Sequence, residues 1–121
     1  MRIGELALST GVSERMLRYY EQEGLLRPAR TGAGYRDYDD DDAQVAQRIR
    51  LLSAAGLKID TIRVLLPCML GDQPEFERCD DIVDALSQEV EKLDRKLKDL
   101  TQSRRLVARY LADLKATVPP R

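Results

Sequence analysis

The strongest constraint on this fold is a heptad repeat in the C-terminal part of the chain. With Val83 at position a, nine of the ten a and d positions over residues 83–114 are apolar, and the segment contains no glycine or proline. As a helix it is roughly 47 Å long. A stripe of this length is typical of a coiled coil and needs a partner helix, most simply a second copy of the chain. The predicted dimer seam consists of Val83, Leu86, Val90, Leu93, Leu97, Leu100, Arg104, Val107, Leu111 and Leu114.

Arg104 is the polar exception in this seam. One interpretation is that its guanidinium group extends from the seam to water. The other is that it selects the register of an antiparallel pair. If the pair is centred near Leu97 and Leu100, Arg104 approaches Leu93 and Asp94 of the partner subunit, where a charge pair favours one alignment.

The N-terminal sequence IGELALSTGVSERMLRYYEQEGLL predicts a helix, a turn and a second helix. Leu6 lies on the apolar face of the first helix, and Gly11 supplies a permissive backbone in the turn. Ser13 is a favourable N-cap for the second helix, which is expected to end at Gly24. The side chains expected to point inwards are Val12, Leu17 and Tyr20.

The next segment, LLRPARTGAGYRDY, has the pattern of a two-stranded ribbon. Short strands are predicted at residues 26–30 and 35–38, on either side of the turn TGAG. Such a ribbon beside a helix-turn-helix is a wing, and its arginines can contact phosphates on both sides of a DNA groove. For the helix-turn-helix itself, the alternative is a small helical hairpin with ordinary surface arginines.

An acidic run at residues 39–42 follows the ribbon. We interpret it as the N-cap and first turn of a third helix that ends at Gly56. A fourth helix is predicted at residues 59–66, ended by Pro67. The fold is therefore expected to be mostly α, with a winged helix-turn-helix domain at 1–67, a cysteine-containing linker loop at 68–79, a coiled-coil helix at 80–116 and a tail at 117–121.

The overall charge gives no general reason to expect nucleic-acid binding, because the net charge is −1. A DNA-binding protein of this composition has to concentrate its positive charge locally. Residues 1–36 do so, with six arginines and four glutamates. The sequence has no apolar stretch suited to a signal peptide or a membrane span, so a cytoplasmic protein with no membrane partner is expected.

Cys68 and Cys79 are the only cysteines, and a permanent disulfide is not expected in a reducing compartment. Three interpretations remain open: a reversible disulfide, a thiolate-bound metal ion, and simple packing of two small side chains at a joint. The chain has no histidine. A metal site would therefore depend on thiolates, carboxylates or water.

The stretches LRYYEQEGLL, GYRDY and LLSAAGLKIDTIRVLL closely resemble the DNA-binding domain of the MerR family of bacterial transcription regulators. The resemblance covers essentially the whole chain and implies a homodimer joined by an antiparallel coiled coil. It also implies binding to a pseudo-palindromic, double-stranded promoter in the nucleoid, with distortion of the spacer DNA so that RNA polymerase can engage. Few residues follow the long helix, so a short member without a C-terminal effector domain is expected.

By position in the motif, the resemblance places DNA contacts on the second helix and the wing. Arg15 and Arg18 are the candidates for bidentate contacts to guanine edges. Cys79 occupies a position where metal sensors of the family have one ligand, and their other ligands come from a C-terminal loop. The implied DNA-binding residues are Glu14, Arg15, Arg18, Tyr19, Arg30, Tyr35 and Arg36.

The sequence bears on two other classes of function. A coiled-coil adaptor whose winged helix binds protein instead of DNA is the main alternative. An enzyme is not expected, because the sequence shows no nucleophile–base arrangement, no glycine-rich phosphate loop and no paired carboxylates in an apolar pocket.

Overall fold

The computed structural model describes residues 1–71 and 75–119. The chain divides into two compact units, Met1–Val83 and Asp84–Arg121. Its regular elements, in chain order, are α1 (Ile3–Thr10), α2 (Glu14–Gln22), β1 (Ala29–Arg30), β2 (Arg36–Asp37), α3 (Asp40–Ala54), α4 (Ile59–Leu65), β3 (Met69–Leu70), β4 (Glu75–Phe76) and α5 (Asp80–Ala116).

Helices α1 and α2 form the predicted helix-turn-helix. Gly11 ends α1 with a φ of 72°, and its N–H donates to the carbonyl of Ala7. The hydroxyl of Ser13 accepts a hydrogen bond from the Met16 N–H at 3.2 Å, which confirms Ser13 as the N-cap of α2. The two caps fix the end of α1 and the start of α2 and leave a short turn between them.

The core of the first unit lies between α1, α2, α3 and α4. The inward orientation of Val12, Leu17 and Tyr20 is confirmed, since all three are buried. Burial of a leucine or isoleucine side chain contributes about 1.5–3 kcal/mol, so this set holds the small unit together. The other buried apolar side chains of these four helices are Leu6, Ala46, Ile49, Leu52, Ile62 and Leu65.

The wing exists but its strands are shorter than predicted. β1 and β2 pair antiparallel, with Ala29 opposite Asp37 and Arg30 opposite Arg36. Pro28 has no N–H for the strand ladder, which explains why pairing begins at Ala29. The ends of the predicted strands serve as core anchors instead: the side chains of Leu26 and Tyr38 are buried.

Helix α3 begins with the acidic run, as expected. The Asp39 carboxylate accepts from the Asp42 N–H at 2.9 Å, and the Asp42 carboxylate accepts from the Asp39 N–H at 2.9 Å. This reciprocal pair is a capping box. The acidic residues therefore stabilise a helix start.

A second ribbon, which the sequence pattern did not predict, lies within the cysteine-containing segment. α4 ends at Leu65, a 3₁₀ turn covers Leu66–Cys68, and β3 pairs antiparallel with β4. Pro67 lies inside this turn, so α4 ends one residue earlier than expected. Met69 is buried and anchors the ribbon, while Pro74 lies outside the described residues.

The long helix α5 contains all ten predicted seam residues. Eight of its nine apolar seam residues are between 40% and 72% exposed in the single chain, and Leu86 is half-buried. Helices that carry such a stripe normally bury it against another helix. Among the described residues, no helix is long and apolar enough to cross a membrane.

Candidate nucleic-acid interface

Helix α2 separates its buried and exposed side chains into two faces. Leu17 and Tyr20 are buried, whereas Arg15 and Arg18 are exposed and Tyr19 is 39% exposed. The exposed face lines an open hollow that continues onto the wing. The residues around this hollow are Arg15, Arg18, Tyr19, Glu21, Gln22 and Arg36.

A second hollow adjoins the first, and Arg18 and Arg36 line both. Its wall is formed mainly by the wing, through Arg30 and Tyr35, and by Arg2. Six of the seven residues that the resemblance assigns to DNA contacts therefore lie along one continuous surface. The seventh, Glu14, lies beside a different hollow, although its carboxylate is 3.6 Å from the Arg18 guanidinium.

A short ion pair joins the wing to α2. Arg36 Nε donates to Glu21 Oε1 at 2.6 Å, and the Tyr38 hydroxyl donates to the other oxygen of Glu21 at 3.3 Å. The hydrogen bond to Glu21 raises the pKa of Arg36. Burial, followed by the charge of Glu21, raises the pKa of Tyr38. Glu21 thus holds a cation of the wing against the face of α2 that carries Arg15 and Arg18.

Arg2 belongs to this surface and was missed by sequence reasoning. Its guanidinium carbon lies 4.1 Å from the centre of the Tyr35 ring, in cation–π geometry. Backbone pairing of Met1 with Tyr38 brings the start of the chain beside the wing: the Tyr38 N–H donates to the Met1 carbonyl at 2.8 Å. No local signal reveals this contact, because Arg2 and Tyr35 are far apart in sequence.

The charge on this surface is positive, although the net charge of the whole chain is −1. Five arginines line it, against the carboxylates of Glu14 and Glu21. The five are Arg2, Arg15, Arg18, Arg30 and Arg36. A cationic surface built from a helix and an adjacent ribbon suits a DNA groove and its flanking phosphates.

The structure also brings the two cysteines together. Both are free, Cys68 is half-buried and Cys79 is exposed, and Cys79 is one of the groups near the Cys68 thiol. Burial raises the pKa of the Cys68 thiol, and the neighbouring Cys79, Glu77 and Asp81 raise it further. Among the described residues, no three histidine, cysteine, aspartate or glutamate side chains are grouped so as to hold a metal ion.

A helix-turn-helix with a basic wing defines a DNA-binding protein of the winged-helix class. Residues 1–67 match the MerR HTH family of regulatory proteins. The chain is 34% identical over 119 residues to the mercuric resistance operon regulatory protein of Bacillus cereus, which covers 98% of this chain and 85% of that protein. It is 33% identical over 105 residues to the HTH-type transcriptional regulator HmrR of Rhizobium leguminosarum bv. viciae, covering 87% of this chain and 79% of that one.

Among solved structures, the chain is similar to the transcription regulator PbrR691 from Ralstonia metallidurans CH34 in complex with lead(II). The TM-score is 0.74 and the identity 34%, with 100% of this chain and 90% of that chain covered. The protein described here belongs to the MerR family. It is a DNA-binding transcriptional regulator and not an enzyme, and the adaptor hypothesis is correspondingly disfavoured.

Proposed function

We propose that this protein binds a pseudo-palindromic promoter as a homodimer and reads it through α2 and the wing. The observation that carries the proposal is the position of Arg18 and Arg36. They come from different elements, yet both line the two adjoining hollows. A groove-reading helix and a phosphate-binding wing act together only when they lie side by side in this way.

The proposed contacts divide into two kinds. Arg15 and Arg18 suit bidentate hydrogen bonds to guanine O6 and N7, and Glu14 suits a cytosine amino group. Their positions on the first turns of α2 are the ones that enter a major groove in helix-turn-helix proteins. The residues proposed to contact phosphates are Tyr19, Arg30, Tyr35 and Arg36.

Dimerisation is proposed to use α5. Its exposed apolar stripe is continuous from Val83 to Leu114, apart from Arg104. In one antiparallel register, the numbers of two facing residues always add up to 197. Val83 then lies opposite Leu114 of the partner subunit and Leu97 lies opposite Leu100, so every seam position has a partner. Closed two-fold symmetry then matches a pseudo-palindromic site.

The effect on transcription is proposed from the family resemblance: bound protein distorts the promoter spacer in the cytoplasm so that RNA polymerase can engage. The signal that controls this effect is proposed to act on Cys68 and Cys79. Thiolates are ligands for soft cations. One relative is a mercuric resistance operon regulatory protein, and the similar structure of PbrR691 is a complex with lead(II). With only two grouped donors described here, the pair fits a two-coordinate soft ion and not a four-coordinate zinc site.

A gel shift with the DNA upstream of the protein's own gene tests the proposal. Arg18→Ala is expected to weaken binding to that DNA by about 10-fold or more, with little effect on unrelated DNA. The matched control is Arg109→Ala, which removes an exposed arginine from α5. If wild-type protein shows no sequence preference at moderate salt, or if the two variants bind alike, the proposed role of α2 is wrong.

A further inference from the structure

The β3–β4 ribbon holds Cys68 and Cys79 at its open end. Met69 pairs with Phe76 and Leu70 with Glu75. Beyond the strands, the Glu77 N–H donates to the Cys68 carbonyl at 2.8 Å, so pairing continues for one more residue. The chain then reaches Cys79 directly before α5, two residues beyond the Glu77 N–H that is bonded to the Cys68 carbonyl, so the two cysteines lie at the same end of the ribbon.

The ribbon is attached to the rest of the first unit at two places. The Met69 side chain is buried in the core. Near the other end of the ribbon, Arg48 Nε of α3 donates to the Gly71 carbonyl at 3.0 Å. These attachments, together with the backbone pairing, hold the backbone on which Cys68 lies and bring the backbone of Cys79 back beside it.

We infer that Cys68 and Cys79 form a peroxide-reactive dithiol whose reversible intramolecular disulfide regulates DNA binding. The regulatory part of this inference rests on the function proposed above, whereas the disulfide itself does not. A metal ion is the competing occupant of the two thiols. A metal ion that needs three or more ligands is disfavoured, because the described residues supply no third one. A two-coordinate soft ion and a disulfide both need only these two sulfur atoms, and the metal arm of the test below separates them.

The oxidant is a hydroperoxide, and the exposed thiol reacts first. The Cys79 thiol loses its proton, its sulfur attacks one peroxide oxygen, and the O–O bond breaks. This gives a sulfenic acid on Cys79, and the departing oxygen takes the proton to form water or an alcohol. The half-buried Cys68 sulfur then attacks the Cys79 sulfur, the S–O bond breaks, and the hydroxyl leaves with the Cys68 proton as water. Two thiols are oxidised and one hydroperoxide is reduced.

The disulfide would add a covalent link across the stem of the ribbon. It would tie the 3₁₀ turn after α4 to the residue that precedes α5. The backbone torsions of residues 68–71 and 75–79 would lose freedom in the oxidised form. DNA binding that depends on an adjustment in this segment would then differ between the reduced and oxidised protein.

The chemical test is peptide mapping of the full-length protein after hydrogen peroxide. Trypsin cleaves after Arg63, Arg78 and Lys92, so the cysteines fall on separate peptides, 64–78 and 79–92. We expect the free-thiol count to fall from two to zero. We also expect the two peptides to remain joined until dithiothreitol is added. The matched controls are Cys68→Ser and Cys79→Ser.

Three results would overturn the disulfide: two free thiols after peroxide, disulfides only between chains, or oxidation of Cys79 alone to a sulfinic acid. Incubation with zinc or copper(I) under reducing conditions provides a separate arm. If one metal ion binds per chain and no disulfide forms with peroxide, the pair is a metal site and the inference is wrong.

The regulatory test compares promoter affinity for reduced and oxidised protein. We expect a change of about 5-fold or more that dithiothreitol reverses and that is absent from Cys68→Ser. A disulfide that leaves affinity and promoter transcription unchanged would overturn the regulatory role. Failure of the reduced protein to recognise promoter DNA would instead contradict the proposed function, because peptide mapping scores the disulfide without DNA.

Discussion

Arg36 Nε in the wing lies 2.6 Å from Glu21 Oε1 in α2, and this pair connects the two elements proposed to contact DNA. Glu21 also accepts from the Tyr38 hydroxyl, so its carboxylate is held on both sides. A negative charge beside DNA opposes binding to any sequence, whereas a fixed Arg36 favours the correct geometry. Glu21 therefore weakens the attraction to any DNA through its charge, but it supports recognition of promoter DNA by holding Arg36 in place.

We expect Glu21→Gln to lower the ratio of promoter affinity to affinity for unrelated DNA. Loss of the charge strengthens general attraction to phosphates, and loss of the ion pair lets the wing reorient. The control is Glu23→Gln, which removes an equal charge that pairs with Arg63 at 3.1 Å and lies outside the two hollows. Equal affinity ratios for both variants, measured by fluorescence anisotropy, would contradict a positioning role for Glu21.

Arg30 is expected to act through phosphates alone. Its Nη1 donates to the Gly34 carbonyl at 3.0 Å, which holds the guanidinium on the wing turn. Arg30→Ala should weaken binding to promoter and unrelated DNA by similar factors. It should also reduce the slope of log affinity against log salt concentration by about 1. Arg95→Ala on α5 should leave this slope unchanged, and an unchanged slope for Arg30→Ala would exclude the proposed phosphate contact.

The capping box at the start of α3 predicts a pH-dependent stability. The Asp39 carboxylate accepts backbone hydrogen bonds, and the one from Asp42 has the largest effect. These bonds lower the pKa of Asp39 below its ordinary value of 3.8. The stabilisation that ionised Asp39 provides is therefore present above pH 3.8 and is lost as the pH falls through the lower, folded-state pKa. Asp39→Ala should lower the melting temperature at pH 7, and the difference from wild type should shrink in strong acid.

Asp42 should behave differently, because burial raises its pKa. Asp42→Asn retains an acceptor for the Asp39 N–H and removes a partly buried charge. We expect it to lower the melting temperature less than Asp39→Ala does at pH 7. Thermal unfolding, monitored by circular dichroism, gives the melting temperatures of the wild type, Asp39→Ala and Asp42→Asn. A constant difference between Asp39→Ala and wild type down to pH 2 would show that the charge of Asp39 is unimportant.

The seam register predicts a coupling between Arg104 and Asp94 of opposite subunits. In the proposed alignment Arg104 faces Leu93 of the partner subunit, and Asp94 is the next residue. Asp94→Arg and Arg104→Asp should each weaken the dimer, and the double variant should recover part of the loss. The coupling energy by sedimentation equilibrium should be about 0.5 kcal/mol or more. Additive effects would mean that Arg104 extends to water.

Local signals allowed much of this fold to be predicted. Ser13 and Asp39 mark helix starts through hydrogen bonds to nearby residues, and the heptads of α5 need no tertiary information. The wing strands were predicted too long, because Leu26 and Tyr38 fit a strand pattern but are instead buried in the core. The β3–β4 ribbon was missed, since strands of two residues are too short to show alternation.

The candidate interface was predicted less completely, for a physical reason. Arg15 and Arg18 follow from helical periodicity and the family motif. Arg2 and Glu21 join the surface through contacts with Tyr35 and Arg36, which are distant in sequence, and no local pattern carries that information. The assignment of individual residues to DNA and the bounds of the domains remain predictions.

In the proposed α5 seam, Arg104 bears on which chains can share a dimer. Where related regulators are made in the same cell, their long helices compete for one another during assembly. A foreign helix with an uncharged or basic residue at the position of Asp94 leaves Arg104 without a partner in an apolar seam, which disfavours the mixed species. Arg104 would then help keep subunits of different regulators from exchanging, and so keep their target promoters under separate control.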